Sequence, residues 1–417
     1  MLTQEENELL TRTGPGTPCG DLMRRYWQPV ALAEELPVGG APLPVRLLGE
    51  DLVLFRTPGT SPLEGRGEGE GSNIGCLAIH CSHRGADLSY GRLEDGGLRC
   101  IYHGWLYDIH GRCLEQPGEP AGSSFHEKIR HIAYPCQEVA GLILAYLGPG
   151  EPPLIPGFDP LRAPDDHRFN TKVFRECNYL QGNEGNMDAV HSAFLHWQHP
   201  RWRSPAGFDA VDSEPTNYGL RNYWIQHLSP ERSRVHINNF LMPNLSAIGG
   251  GVPGREGFGL NWHVPIDDTH HWVYVINFHY HEPIDSESRR TNHAELGLDY
   301  RIVRNRANRY QQDREQMKTT NFAGLGTYYY LQDGCVTEGA GPTQDRTHEN
   351  LGFGDAAIKA GRQMLREAIA DVQEGRDPLG VVRDPTENHF EVVMTWEEIP
   401  RDRSWRGYWR DQVGANA

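Results

Sequence analysis

Two short segments, each with one cysteine and one histidine, constrain this chain more than any other feature. Cys81 and His83 lie in the first segment, and Cys100 and His103 lie in the second. Two thiols and two imidazoles in so short a stretch predict a metal site. In a two-iron cluster, two neutral imidazoles raise the reduction potential of one iron above that of an all-thiolate cluster. A structural zinc site uses the same ligands, so the spacing alone leaves both possibilities open.

The flanking residues favour iron. The segments read CSHRGA from residue 81 and CIYHGW from residue 100, so each combines one thiol with one imidazole, whereas a zinc finger places its histidines together. They resemble the cluster-binding loops of Rieske [2Fe-2S] proteins. The resemblance implies that Gly85 and Gly104 let backbone amides approach the sulfurs, and that Trp105 shields the cluster from water. Ser82 departs from the family pattern, which has proline there.

The length of 417 residues is too great for one compact core. A GPGEPP segment at 148–153 reads as a linker, which predicts a first domain over residues 1–150 and a second over residues 151–417. Beside the two cysteines of the metal site, six others are scattered without the spacing of a disulfide framework. This cysteine usage is typical of a reducing cytoplasm.

Charge and hydropathy exclude several classes of partner. The 40 basic and 56 acidic residues give 40 − 56 = −16, a net charge that repels nucleic acids and anionic membrane surfaces. The acidic N-terminus lacks the pattern of a secretory signal, and no stretch approaches the roughly 18 apolar residues of a membrane helix. We therefore expect a soluble, cytoplasmic protein that binds neither nucleic acid nor membrane.

The first domain reads mainly as short strands. Helical patterns at 5–10 and 20–26 precede a strand-like alternation at 44–55. Residues 57–75, rich in Gly, Glu and Ser, predict an exposed hairpin insertion. Further short strands with turn signals continue through both metal-binding loops to residue 146. This pattern indicates an all-β first domain with an N-terminal helical extension, and the resemblance of its two Cys/His loops implies that it is a Rieske domain.

The second domain combines strands with helices. Aromatic and β-branched runs predict one antiparallel sheet with strands at 223–227, 234–242, 257–264 and 271–281. Helices follow at 299–318 and 355–374, the latter with Asp355 as N-cap and Gly375 at its stop. The predicted fold class is α+β, with this sheet flanked by helices.

A second candidate metal site lies between the linker and the sheet. Asp188, His191 and His196 belong to a segment of helical composition. The two histidines would lie about 140° apart on a regular helix, so sharing a metal requires a bulge or local unwinding. Two separately hydrogen-bonded histidines are the simpler alternative. The cluster upstream favours a metal, because an electron carrier joined to a large second domain needs an electron acceptor. Two histidines and a carboxylate would bind Fe(II) and leave positions open for O2.

The motif EGNMDAVHSAFLH at 184–196 resembles the mononuclear-iron motif of Rieske non-haem iron oxygenases. GPGTP at 14–18, MRRYW at 23–27, DRT at 345–347 and LG at 351–352 resemble the phthalate dioxygenase branch. The similarity spans nearly the whole chain except the insertion. It implies one [2Fe-2S] cluster and one Fe(II) per chain. The implied iron ligands are His191, His196 and Asp333; Glu338 and Asp313 compete for the third position.

The resemblance also implies an assembly. The cluster of a neighbouring subunit would supply the electron through His103, Asp188 and His191, which requires a homotrimer. The alternative for Asp188 is a structural or helix-capping carboxylate. No G-x-G-x-x-G motif opens a helix after a strand, so the electrons of NAD(P)H are expected from a separate reductase, directly or through a ferredoxin.

The phthalate dioxygenase branch implies an aromatic acid as substrate. A carboxylate favours an arginine partner, and Arg221 and Arg234 are candidates, with His263 as a hydrogen-bond partner; each could equally be an ordinary strand residue. Hydroxylation or oxidative O-demethylation and ring dihydroxylation both remain open. Two other classes compete with an oxygenase: a pure Rieske electron carrier and a zinc-stabilised binding protein.

Overall fold

The structure is a computed structural model that describes residues 1–57, 73–188, 190–197, 207–249 and 257–410. The described chain forms two compact units: residues 23–153, and residues 1–22 together with the residues from 154 onward. Of the helices in the described ranges, none is long and apolar enough to cross a membrane.

The α-helices are α1 Gln4–Thr11, α2 Pro18–Met23, α3 Asp159–Arg162, α4 Tyr179–Met187, α5 Ser286–Asn292, α6 Gln316–Thr319, α7 Tyr329–Gly339 and α8 Ala356–Gln373. Short 3-10 helices occupy Ala33–Glu35, Leu88–Tyr90, Phe125–Lys128, Asp165–His167, His191–Ala193, Arg306–Gln311 and Pro385–Glu387.

The N-terminal residues pack with the second unit, not the first. The prediction that residues 1–22 extend the first domain is therefore wrong in this respect. The reason is a set of long-range hydrogen bonds: the backbone N–H of Thr13 donates to Asp268 at 2.7 Å, and Asn178 donates to the carbonyl of Thr11 at 2.8 Å. The Cys19 thiol also lies 3.3 Å from the Tyr179 hydroxyl.

The described residues of the unit 23–153 form three antiparallel sheets. Its strands are β1 Gln28–Leu32, β2 Leu43–Leu47, β3 Glu50–Arg56, β4 Ile74–Ala78, β5 Arg92–Glu94, β6 Gly97–Arg99, β7 Leu106–Tyr107, β8 Cys113–Glu115, β9 Ala133–Tyr134, β10 Cys136–Val139 and β11 Leu142–Ala145. The strand orders are β1-β11-β10, β2-β3-β4-β9 and β5-β6-β7-β8. The first metal-binding segment follows β4, and the second joins β6 to β7.

The single strand predicted at 44–55 is two strands. Leu48 and Gly49 have φ values of 51° and 80° and form a tight turn between β2 and β3, with Leu47 paired to Glu50. Two successive residues with positive φ suit the twist of a hairpin. Of the predicted insertion, residues 58–72 lie outside the described residues.

In the other unit, the strands that the structure describes form one antiparallel sheet. Its strands are β12 Arg168–Arg175, β13 Ala210–Pro215, β14 Gly219–His227, β15 Arg232–Leu241, β16 Leu245–Ile248, β17 Phe258–Pro265, β18 His271–Phe278 and β19 Thr395–Pro400. They follow the order β12-β18-β17-β16-β15-β14-β13, and β19 also pairs with β15. The four predicted strands correspond to β14, β15, β17 and β18, and the α+β class is confirmed.

The helix predicted at 299–318 is wrong. The segment instead contains the 3-10 helix Arg306–Gln311 and the short helix α6. Arg309 and Tyr310 each have a φ of 54°, which interrupts any regular helix. The buried Tyr310 also donates a hydrogen bond to Glu338 at 2.5 Å, which fixes this irregular segment against α7. The helix predicted at 355–374 is confirmed as α8, and Gly375 follows it with a φ of +77°.

Candidate metal centres

The two Cys/His loops of the first unit have the same backbone hydrogen bonding. The N–H of Cys81 donates to the carbonyl of Ala86, and the N–H of Gly85 donates back to the carbonyl of Cys81, both at 2.8 Å. In the second loop, Cys100 donates to Trp105 at 2.8 Å and Gly104 donates to Cys100 at 3.0 Å. The two glycines have φ values of +72° and +75°, a conformation that glycine adopts without strain.

These loops bring the four predicted ligands together. The rings of His83 and His103 lie 4.4 Å apart between centroids and are exposed, whereas Cys81 and Cys100 are buried. The Trp105 ring stacks on His83 at 4.5 Å and is itself buried. Two buried thiols beside two exposed imidazoles fit a cluster whose thiolate-bound iron is internal and whose histidine-bound iron lies at the surface.

In the second unit, helix α4 ends just before the candidate iron ligands. Its last residue is Met187, and Asp188 has extended backbone angles of φ −96° and ψ 121°. The Asp188 carboxylate accepts the backbone N–H groups of Val190 at 2.7 Å and His191 at 3.3 Å. The turn of 3-10 helix at His191–Ala193 follows. The unwinding that the sequence required for a shared metal is thus present.

The break allows both imidazoles to face a residue of α7. Oδ1 of Asp333 lies 3.2 Å from Nε2 of His196 and 3.8 Å from Nε2 of His191. The potential ligand atoms of these three residues all lie within 4.8 Å of one another. This spacing and donor set suit a single cation with open coordination positions.

The opposite side of each imidazole also contacts a polar side chain. Nδ1 of His196 lies 2.7 Å from Oε1 of Gln332, and Nδ1 of His191 lies 3.5 Å from Oδ2 of Asp188. Groups of this kind orient metal-bound histidines and raise their basicity.

The electrostatics also favour a cation. Burial would raise the pKa of Asp333, but the close contact with His196 and the nearby histidine and arginine charges hold this pKa below the usual range. Burial would lower the pKa of His191, but Asp188 and Asp333 keep it raised. Two carboxylates around two imidazoles leave excess negative charge when the imidazoles are neutral, which a metal ion would balance.

The competing carboxylates lie elsewhere. Asp313 accepts the backbone N–H groups of Glu315 at 2.8 Å and Gln316 at 3.2 Å at the start of α6. Glu338 contacts Tyr310 and lies 3.9 Å from Arg175. The structure brings neither of them to the two histidines.

The three predicted substrate contacts have other partners in the structure. Arg221 donates to the carbonyl of Glu391 at 2.8 Å and lies over the Trp409 ring at 4.2 Å. Arg234 donates to Glu398 at 2.9 Å. His263 is buried, with Nε2 2.7 Å from Asn186 and Nδ1 3.2 Å from His271.

Sequence reasoning missed several residues that support this site. Asn238 donates to the carbonyl of Asn186 at 2.7 Å and so links β15 to the last turn of α4. His236, two residues earlier on the same face of β15, has a buried Nδ1 without a hydrogen-bond partner in the described structure. Burial, followed by the charge of His191, lowers the pKa of His236 to about 4. In the sequence, only the adjacent Asn238 and Asn239 indicated that β15 carries polar residues near the site.

The helix α4 is anchored by two buried ion pairs that share one carboxylate. Glu184 accepts from Nη2 of Arg346 at 2.8 Å and from Nε of Arg362 at 2.6 Å. Arg362 also pairs with Glu349. Glu184 belongs to the sequence motif that contains Asp188, so this anchor explains a residue to which the sequence assigned no role.

Comparison with known proteins agrees with this geometry. The Rieske [2Fe-2S] domain family matches residues 26–132, and the family described as LigXa C-terminal domain like matches residues 202–416. The chain is 34% identical to the phthalate 4,5-dioxygenase oxygenase subunit of Pseudomonas putida, over 98% of this chain and 95% of the relative. It is 30% identical to the 5,5'-dehydrodivanillate O-demethylase oxygenase subunit of Sphingobium sp., over 100% and 91%.

Solved structures share the fold. The match with the Pseudomonas putida CBB5 NdmA QL mutant with theobromine covers 93% of this chain and 99% of the NdmA chain, with a TM-score of 0.60 and 20% identity. The match with the terminal oxygenase of carbazole 1,9a-dioxygenase from Nocardioides aromaticivorans IC177 covers 87% of this chain and 96% of the oxygenase chain, with a TM-score of 0.58 and 20% identity.

The chain belongs to the Rieske non-haem iron oxygenases, which carry a [2Fe-2S] cluster and a mononuclear iron. Within that class it is an oxygenase subunit of the phthalate dioxygenase branch.

Proposed function

We propose that this chain is a terminal oxygenase component that hydroxylates, or oxidatively O-demethylates, an aromatic carboxylate with O2. The observation that carries the proposal is the convergence of His191, His196 and Asp333 on one position. Ring cis-dihydroxylation of a phthalate-like acid is the alternative, since the named relatives include both a dioxygenase and an O-demethylase subunit. A separate NAD(P)H-dependent reductase, alone or with a ferredoxin, would deliver the electrons.

We assign the metal ligands as the sequence predicted them. Cys81, His83, Cys100 and His103 would hold the cluster, and His191, His196 and Asp333 would hold Fe(II). When bound, these groups supply the electrons and the site at which O2 reacts. The contribution of the protein is to aim each Nε2 and to leave the remaining positions open to substrate and O2.

Electron delivery to this site would pass between subunits of a homotrimer. Asp188, beside His191, would accept a hydrogen bond from His103 of a neighbouring copy. Exposed apolar side chains support docking near both ends of this route. Tyr102, 56% exposed, adjoins His103, and Tyr329 and Val336, 54% and 51% exposed, share a helical face with Asp333. Light scattering tests the trimer by measuring its molar mass. We expect the protein to be cytoplasmic.

Arg221, Arg234 and His263 remain candidates for substrate contact. Because each already has protein partners, binding through them would require an exchange of those contacts. The comparison of Arg221→Ala and Arg234→Ala tests the arginines: an unchanged KM for the acid in both variants would remove them from the proposal. His236 is a further candidate, because its Nδ1 has no hydrogen-bond partner among the described residues.

The decisive functional experiment supplies the purified protein with a reductase, NADH, O2 and a panel of aromatic acids. We expect a Rieske-type visible spectrum, substrate-dependent O2 uptake and a product mass that identifies hydroxylation, demethylation or dihydroxylation. A cluster spectrum without iron at the second site and without O2 uptake would indicate an electron carrier. A colourless, zinc-containing protein would overturn the assignment.

A further inference from the structure

Ser82, which departs from the family pattern in the first cluster loop, makes a specific contact in this structure. Its hydroxyl oxygen lies 2.7 Å from Nδ1 of His131. The other ring nitrogen of His131, Nε2, lies 2.7 Å from the carbonyl oxygen of Ala78 in β4. A carbonyl can only accept, so Nε2 carries the proton of the neutral ring. Nδ1 is then an acceptor, and the Ser82 hydroxyl donates to it.

The ring of His131 is held firmly. Its side chain is buried, and its backbone N–H donates to the carbonyl of Gly111 at 2.8 Å. A Cβ at Gly111 would lie 2.2 Å from the carbonyl oxygen of His131, so only glycine allows this approach. The ring therefore offers Ser82 a fixed partner on the body of the unit.

The same ring also supports a second neighbour of the cluster. It packs against Tyr107 with centroids 4.8 Å apart, and the Tyr107 hydroxyl lies 3.2 Å from Sγ of Cys81. His131 thus contacts Ser82, which follows Cys81 in sequence, and Tyr107, whose hydroxyl contacts the sulfur of Cys81.

We propose that Ser82 and His131 form a positioning pair that fixes the first cluster loop, replacing with a hydrogen bond the rigidity that a proline ring would give. A proline restricts its own backbone and that of the preceding residue. A serine imposes neither restriction. Its hydrogen bond to a buried, immobile imidazole restores the rigidity of the loop. The inference rests on the cluster assignment of the proposed function.

The test uses the cluster-loaded enzyme and follows the rate at which its visible absorbance is lost in the presence of a chelator. We expect Ser82→Ala and His131→Gln each to lose the cluster about two- to tenfold faster, the range of one net hydrogen bond. Ser82→Thr, which keeps the hydroxyl, should behave like wild type. Ser82→Pro should also lose the cluster at the wild-type rate, because the proline ring makes the loop rigid. Ser89→Ala, in the same unit, is the matched control.

The double variant Ser82→Ala/His131→Gln decides whether the two residues act together. We expect it to lose the cluster no faster than either single variant, because both remove the same bond. The electron paramagnetic resonance signal of the reduced cluster should broaden in both single variants and remain sharp in Ser82→Thr. Wild-type rates and signals in both single variants, or additive effects in the double variant, would overturn the pair. A wild-type protein without any cluster would instead contradict the proposed function.

Discussion

Oε1 of Gln332 lies 2.7 Å from Nδ1 of His196, while the adjacent residue, Asp333, lies 3.2 Å from Nε2 of the same ring. Helix α7 therefore contacts both nitrogens of one imidazole. Nε2 of Gln332 donates to the carbonyl of Gly326 at 2.6 Å, so its oxygen must face His196. His196 then donates from Nδ1 and keeps the lone pair of Nε2 for the metal.

Replacing this amide should weaken iron binding. We expect Gln332→Leu to bind Fe(II) about 10- to 100-fold more weakly, the usual effect of losing a partner that orients a metal-bound histidine. The measurement is an Fe(II) titration with the cluster spectrum as an internal reference. Gln363→Leu, at an exposed position of α8, is the control. Unchanged affinity in Gln332→Leu would show that His196 is oriented by other contacts.

Asp188 should matter for turnover more than for metal content. Asp188→Asn keeps an oxygen for the N–H of Val190 but removes the charge beside His191. We expect steady-state turnover to fall about 10- to 100-fold, with both metal centres retained. Asp345→Asn, an exposed turn residue, controls for the loss of a carboxylate. Near-normal turnover would support the alternative, in which Asp188 is a structural carboxylate.

The close approach of α4 to the sheet depends on Gly182. A Cβ there would lie 2.6 Å from Nδ1 of His263 and 2.9 Å from Nε2 of His271, both buried. We expect Gly182→Ala to destabilise the protein by about 1–3 kcal/mol through overpacking. Urea unfolding measures this loss. Gly185→Ala, in the same helix but with its nearest contact at 4.0 Å, should not destabilise it. Equal stabilities for the two variants would contradict the packing argument.

Glu184 should contribute a stability that depends on pH. Burial would raise its pKa, but the charges of Arg346 and Arg362 hold the pKa below the ordinary value. A lowered folded-state pKa gives stability that is present above the unfolded value of about 4.3 and is lost as the pH falls through the folded-state pKa.

The variant Glu184→Gln should lose about 3–5 kcal/mol at neutral pH, because Arg346 stays buried without its carboxylate. Urea unfolding at neutral and acidic pH should show a smaller acid-induced loss in this variant than in wild type. Glu367→Gln, exposed on α8, should match wild type. An identical acid dependence in wild type and Glu184→Gln would exclude this role for the two buried ion pairs.

The sequence predicted those parts of the site that depend on local spacing. The two Cys/His loops could be interpreted from residues 81–105 alone, because each loop is closed by hydrogen bonds between near neighbours. The break after Met187 followed from the helical angle between His191 and His196. Asp333, more than a hundred residues further on, came only from family resemblance, because helical geometry cannot predict a contact across the fold.

Other features depend on tertiary contacts that no local pattern encodes. Gln332 looks like an ordinary helical residue until α7 is placed beside His196. The polar segment at 299–318 has helical composition, but the burial of Tyr310 against Glu338 imposes left-handed backbone angles there. Likewise, nothing in the sequence around Thr13 indicates its hydrogen bond to Asp268, so the sequence pattern predicts the wrong unit for the N-terminal residues.

The central claim is that His191, His196 and Asp333 bind a catalytic iron separate from the cluster. Iron analysis of wild type and Asp333→Ala, combined with the visible spectrum and O2 uptake, tests it most directly. We expect about three iron atoms per wild-type chain, of which two belong to the cluster, and about two in the variant. The variant should keep the cluster spectrum and lose turnover. A third iron and normal oxygenase activity in Asp333→Ala would contradict the account.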